Sequence, residues 1–176
     1  DRRRVGSTRA MTDRRHPNVV HQDEVEPTEV ARGAHRLTRR ALGAAAGNRQ
    51  LGASIYEVPP GARSYPRHWH GANEEAIYVL SGTGTARIGA AEVAIGAGDW
   101  LAFPVGPDHA HQLVNDGAAP LVYLCVATNH TCEVVGYPDS RKLKALAGPT
   151  WDALWVNHTT RAEAPLDYWV GEPAAE

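Results

Sequence analysis

Two pairs of histidines, each with one residue between its members, stand in the middle of the chain. The first pair is His68 and His70 in "RHWHGANEE", and the second is His109 and His111 in "GPDHAHQLVN". Side chains two residues apart on a β-strand point to the same face, with a rise of about 6.6 Å between them. Imidazole nitrogens can converge from that separation onto a single ion at about 2.0–2.1 Å. This spacing indicates a metal site.

A carboxylate lies between the two pairs. In the apolar run "EEAIYVL", Glu75 has the same parity as Ile77, so it faces inward if the run is a strand. Glu74 then faces outward. A carboxylate in an apolar interior needs a compensating charge, which a metal ion supplies. One histidine pair alone would be explained equally well by structural histidines. Two pairs with an inward glutamate favour a site of three nitrogen ligands and one oxygen ligand.

The segments that must position these side chains have the pattern of short β-strands. From Leu51 onward, runs rich in Val, Ile, Tyr and Leu alternate with separators rich in Gly, Pro, Asn and Asp, which predicts an all-β sandwich or barrel. "ARIGAAEVAI" predicts a hairpin. "RLTRRALGAAAGNRQ" fits a short helix or a strand followed by a turn, and "KLKALAG" fits one or two helical turns.

With these motifs in place, the chain resembles the cupins, which are small double-stranded β-helix (jelly-roll) barrels. The chain resembles the first cupin motif at five residues, with one extra residue before His68: Gly61, His68, His70, Glu75 and Gly82. The second motif begins at Gly98, Pro104 and Gly106. The resemblance covers residues 51–127 as a motif core. It implies a jelly-roll cupin barrel with an N-terminal arm and a short helical or irregular C-terminal segment.

The fourth ligand is open between His109 and His111. His109 satisfies the motif spacing from Gly106, and His111 satisfies the spacing to Asn115. We favour His111, because "HQLVN" is similar to the His-x-Leu-x-Asn form of many bacterial cupins. The resemblance then implies the metal ligands His68, His70, Glu75 and His111. His109 would lie nearer the barrel mouth, either as an inert rim residue or as a catalytic proton shuttle.

This ligand set suits one divalent transition metal, whether Mn, Fe, Ni, Cu, Co or Zn, and leaves two positions open on an octahedral ion. A redox-active metal there permits oxygenation, and a Lewis acid permits isomerase or lyase chemistry. We expect a mononuclear metalloenzyme acting on a small oxygen-rich molecule, with a dioxygenase slightly ahead of an isomerase or lyase. The alternative is a non-catalytic binding or sensing module for a sugar-like molecule. A purely structural metal barrel ranks last.

Length and charge set the remaining expectations. The 176 residues fit a single cupin domain over residues 34–176, preceded by an arm over residues 1–33. The net charge of −2 gives no argument for nucleic acid or a membrane surface as partner. The two cysteines, Cys125 and Cys132, make no disulfide framework and fit free thiols in the cytoplasm.

Two expectations concern the ends and the assembly of the chain. The Arg-rich residues 1–10 precede the only methionine, Met11, and we expect them to be an upstream or cloning remnant. A targeting arm is the alternative. The resemblance to cupins that pair through sheet edges and N-terminal arms implies a homodimer.

Overall fold

The computed structural model describes residues 16–162 and 165–171. The Arg-rich residues 1–10, and with them the remnant and targeting interpretations, lie outside the described residues. The described chain forms thirteen strands: β1 (Thr28–Arg32), β2 (His35–Arg40), β3 (Leu51–Val58), β4 (Trp69–His70), β5 (Glu75–Ser81), β6 (Thr83–Ile88), β7 (Ala91–Gly96), β8 (Trp100–Phe103), β9 (His111–Val114), β10 (Leu121–Thr128), β11 (Glu133–Tyr137), β12 (Lys142–Ala147) and β13 (Val156–Arg161).

Helical structure is sparse. The helix α1 (Leu42–Ala45) is a single turn, and short 3₁₀ turns cover Gln22–Glu24, Pro107–His109 and Pro138–Ser140. Within residues 16–162 and 165–171, no helix has the length and apolar character that a membrane span requires.

The strands form three antiparallel sheets. Their orders are β1-β2-β3-β10-β5-β8, β7-β6-β9 and β13-β12-β11-β4. Strand β10 lies between β3 and β5, far from either in sequence, which is the long-range pairing of a jelly roll. The predicted all-β jelly-roll fold is confirmed, and so is the predicted hairpin, which is β6 and β7 with Ile88 opposite Ala91.

The core lies between the sheets and follows the two-residue period of the strands. On β10, Leu121 and Tyr123 are buried, and on β5 the inward residues are Ile77 and Val79. Each such side chain stabilises the fold by about 1.5–3 kcal/mol through burial of apolar surface. Cys125 is a buried free thiol on the same face of β10, and burial raises its pKa.

Strand β4 joins the two smaller sheets. His70 pairs with Val135 of β11. On the other side, the backbone N–H of His68 donates to the carbonyl of His111 at 3.1 Å, and the N–H of His111 donates back at 2.8 Å. This short strand therefore brings both histidine segments together.

The prediction of helical turns in "KLKALAG" is wrong, because Lys142–Ala147 is strand β12. Strand β12 pairs with β11 on one side and β13 on the other, and Leu146 is buried. Hydrogen bonding on both edges outweighs the helix propensity of Lys, Leu and Ala. At the other end, residues Thr28–Arg32 of the predicted arm form β1, an edge strand paired with β2.

The closing glycine of the first motif sits at a tight backbone contact. Gly82 has φ +83°, and a Cβ there would overlap the carbonyl oxygen of Pro120. We expect Gly82→Ala to lower the free energy of unfolding by about 3 kcal/mol or more, because left-handed strain adds to a backbone clash. Urea denaturation measures the loss.

Gly33→Ala is the matched control for this substitution. Gly33 has φ +59°, but a Cβ there meets no described atom within 4 Å. It should lose only about 1 kcal/mol, from strain alone. Equal losses at Gly33 and Gly82 would contradict the clash.

Candidate metal centre

Side chains from β4 and β5, with one residue just before β4, form one group: His68, His70 and Glu75. His111 of β9 lies beside Glu75. The ligand atoms of His68, His70 and Glu75 all lie within 4.8 Å of one another. Nε2 of His70 is 3.6 Å from Oε2 of Glu75, and Nε2 of His111 is 3.4 Å from Oε1. Two donors that each lie about 2.1 Å from a shared ion are separated by roughly 3.0–3.4 Å, close to these distances.

Among the described residues, three imidazole nitrogens of the cluster lack a hydrogen-bond partner: Nδ1 and Nε2 of His70 and Nε2 of His111. Within the described part of the chain, Nε2 of His70 and Nε2 of His111 are buried and unpaired, although both face the Glu75 carboxylate. A buried polar atom without a partner costs about 1–3 kcal/mol. A cation between the nitrogens and the carboxylate removes that cost. The group His68, His70 and Glu75, with His111 beside it, therefore fits a divalent transition metal.

Backbone carbonyls select the form of two imidazoles in which Nε2 can bind an ion. Nδ1 of His68 donates to the carbonyl of Pro66 at 2.9 Å, and Nδ1 of His111 donates to the carbonyl of His109 at 3.1 Å. Because a carbonyl oxygen only accepts, Nδ1 carries the hydrogen and Nε2 keeps its lone pair. The ring of Phe103 stacks on His111 with centroids 3.8 Å apart, which holds the imidazole in place.

Glu133 positions the third imidazole and the loop that follows it. Its carboxylate accepts hydrogen bonds from the backbone N–H groups of Gly71 at 2.8 Å, Ala72 at 3.0 Å and Asn73 at 2.9 Å, and from the Asn73 amide. Oε2 also lies 3.5 Å from Nδ1 of His70, and the side chain is only 1% exposed. Sequence reasoning missed Glu133, because one acid at the start of "EVVGY" resembles any solvated strand end.

The electrostatics of the cluster favour a bound cation. Burial and the neighbouring His111 lower the pKa of His68 to about 4, so it stays neutral. Burial also opposes a charge on His70, yet the carboxylates of Glu133 and Glu75 raise its pKa to about 9. Burial would raise the pKa of Glu75, but His111 and His70 lower it well below its usual range. Metal binding requires a neutral imidazole, so an ion that binds here takes the place of the proton on His70.

A cavity of about 420 Å³ opens beside the cluster, a size typical of small-molecule sites. Besides the site residues, its wall carries two cations and three phenols: Arg39, Lys144, Tyr56, Tyr65 and Tyr123. Burial raises the pKa of all three phenols, which keeps them protonated as hydrogen-bond donors. Sequence reasoning missed four of these residues, because the motifs that directed attention to the site do not include their strands: Arg39, Tyr56, Tyr123 and Lys144.

His109 lies apart from the cavity wall. It ends the Pro107–His109 turn and is half-buried. It is not one of the described residues that line the cavity. Its carbonyl holds His111 in place. A catalytic role for its imidazole stays a prediction.

Comparison with known proteins gives a family match for the central part of this fold. Residues 54–127 match the family model described as a cupin domain. This segment runs from β3 to β10 and includes His68, His70, Glu75 and His111. No curated protein matches the chain.

Several solved structures share the fold. A sugar phosphate isomerase of the cupin superfamily from Silicibacter pomeroyi is 27% identical, with a TM-score of 0.70 over 85% of this chain and 97% of that one. The polyketide cyclase RemF from Streptomyces resistomycificus is 28% identical, with a TM-score of 0.54 over 62% of this chain and 78% of that one. A predicted oxalate decarboxylase from Thermotoga maritima is 27% identical, with a TM-score of 0.56 over 62% and 97%.

Proposed function

Because the chain belongs to the cupin superfamily, we propose that it is a mononuclear metalloenzyme acting on a small oxygen-rich molecule. Its ligands are His68, His70, Glu75 and His111. The observation that carries the proposal is the pair of buried, unpaired Nε2 atoms facing one carboxylate, beside a cavity of about 420 Å³. The fourth ligand is His111 because its Nε2 lies 3.4 Å from Glu75.

A divalent ion bound there would polarise a carbonyl or hydroxyl oxygen of the substrate, or support oxygenation if it is redox-active. The chain's own groups bind and orient the substrate. Tyr56, Tyr65 and Tyr123 offer phenol donors, and the apolar side chains of Ile77 and Leu113 exclude water from part of the wall. Protonated phenols can hold a substrate oxygen without titrating near neutral pH.

Of the two reaction classes, isomerase or lyase chemistry now ranks ahead of dioxygenase chemistry. The sequence alone placed a dioxygenase slightly ahead. The three relatives at 27–28% identity are named as a sugar phosphate isomerase, a polyketide cyclase and a predicted oxalate decarboxylase, and none of these names describes an oxygenase. This ranking of the two reaction classes rests on the names of the relatives, and the following experiment tests it.

The test begins with elemental analysis of the purified full chain, where we expect about one divalent ion per chain. Sugar phosphates and hydroxycarbonyl compounds are then followed by NMR for isomerisation or elimination, and catechols by O₂ uptake. We expect turnover in the first panel and loss of both metal and turnover in Glu75→Gln. Glu74→Gln is the matched control, because Glu74 is exposed.

Each other result is informative. A chain that holds metal and binds compounds of either panel without converting them is a binding or sensing module. A chain that holds no metal contradicts the proposal.

A homodimer and a cytoplasmic location stay predictions. Support for association comes from the C-terminal segment, where Tyr168 is 83% exposed and Trp169 is 70% exposed. Aromatic side chains so exposed in a single chain are typical of a surface that contacts a partner.

A further inference from the structure

One wall of the cavity is a row of side chains that crosses three strands. Arg39 of β2 is opposite Tyr56 of β3, and Tyr56 is opposite Tyr123 of β10, so all three share one face of the large sheet. The rings of Tyr56 and Tyr123 stack with centroids 5.2 Å apart, and the guanidinium carbon of Arg39 lies 6.0 Å from the Tyr56 ring centre. The stacked tyrosine rings therefore help to position the Arg39 guanidinium.

The Arg39 guanidinium is anchored but its charge is not neutralised. Nε donates to Oγ of Ser54 at 3.0 Å, which leaves the two Nη groups available. No carboxylate of the described residues lies within ion-pair distance of it. An arginine held by one hydrogen bond presents the rest of its planar fork to an oxyanion.

A second cation enters from the opposite sheet. Lys144 of β12 is opposite Val135 of β11, and Val135 is opposite His70 of β4. Lys144 therefore shares a face with His70 two strands away, about 9.5 Å across the sheet. It also lines the cavity and has no carboxylate partner among the described residues.

The charges on the cavity wall do not balance. Among the described residues, the only acid that lines it is Glu75, whose carboxylate faces the imidazoles of His70 and His111. Arg39 and Lys144 remain as two positive charges in a partly enclosed space, where an anion is favoured more than in bulk water. Both residues lie outside the segment 54–127 that matches the family model, so the family match does not account for them.

We propose that the cavity binds a small anion, whose carboxylate or phosphate group lies between Arg39 and Lys144 while another of its oxygens faces the metal cluster. Only the contact between the anion and the metal cluster rests on the proposed function. The Arg39 fork pairs with two oxygens of the anionic group, and Lys144 adds a point charge. Neutral sugars and catechols leave both cations unpaired, so they are poorer ligands.

Isothermal titration of the Zn²⁺-loaded full chain tests the proposal with three probes: glycerol 3-phosphate, succinate and neutral glycerol. We expect one anion per chain, bound at least tenfold more tightly than glycerol. Arg39→Met and Lys144→Met should each weaken that binding about tenfold or more. Tighter binding of glycerol 3-phosphate identifies the bound group as a phosphate, and tighter binding of succinate identifies it as a carboxylate.

Lys142→Met is the matched control. It removes the other lysine of β12, whose Nζ lies 5.2 Å from the Tyr137 ring centre and which does not line the cavity. Anion binding should be unchanged in this variant. Metal content shows that each variant is folded, and Arg39→Lys retains part of the binding because it keeps the charge.

The same titrations after chelation separate this proposal from the proposed function. If no metal binds but the anion still binds through Arg39, the anion site stands and the metalloenzyme does not. If metal binds but the anions bind no better than glycerol, or if both Met variants bind them unchanged, the anion site is overturned and the metalloenzyme stands.

Discussion

His111→Ala is expected to abolish stoichiometric metal binding, whereas His109→Ala leaves it intact. Nε2 of His111 is buried, unpaired and 3.4 Å from Glu75, so removing it leaves the ion one ligand short. Loss of a group that merely orients a ligand costs about 10–100-fold in affinity, so loss of the ligand should exceed about 100-fold. Competition with a chromophoric chelator measures the affinity, and elemental analysis after gel filtration measures the content.

His109→Ala is a close control, because it removes an imidazole and keeps the backbone carbonyl that accepts from Nδ1 of His111. Its metal affinity should stay within about threefold of the parent. Turnover in this variant also tests the predicted proton shuttle. A variant pair with the opposite pattern, in which His109→Ala loses the ion and His111→Ala holds it, would reverse the ligand assignment.

Local periodicity explains what the sequence predicted correctly. The parity that selected Glu75 over Glu74 is a property of one strand, and the structure has Glu75 in the cluster and Glu74 exposed. The hairpin of β6 and β7 likewise depends on a few adjacent residues. The all-β fold follows from many such short runs.

Contacts between distant strands explain what it missed. Glu133 reaches His70 only because β11 pairs with β4, and Lys144 reaches the cavity only because β12 pairs with β11. Arg39 joins the wall through the pairing of β2 with β3. The pairing of β11 with β4 has no local signal. Strands β11 and β12 are neighbours in sequence, but "KLKALAG" carried a misleading signal, because helix propensity ignores the two strands that flank β12.

The carboxylate of Glu133 has the second large effect that we expect. Each oxygen accepts hydrogen bonds from N–H groups, Oε1 from Gly71 and Ala72 and Oε2 from Asn73. In Glu133→Gln, one end of the side chain becomes an amide donor that must face those donors in a site only 1% exposed. We expect the free energy of unfolding to fall by about 2–4 kcal/mol, since buried donors lose charged acceptors.

The same variant should bind metal about 10–100-fold more weakly, because the negative charge beside Nδ1 of His70 is lost. Urea denaturation of the chelated protein measures the stability, and chelator competition measures the metal affinity. Glu74→Gln, an exposed neighbour, should change stability by less than about 0.5 kcal/mol. If Glu133→Gln loses stability at full metal affinity, then Glu133 holds only the Gly71–Asn73 loop, and His70 needs no carboxylate to act as a ligand.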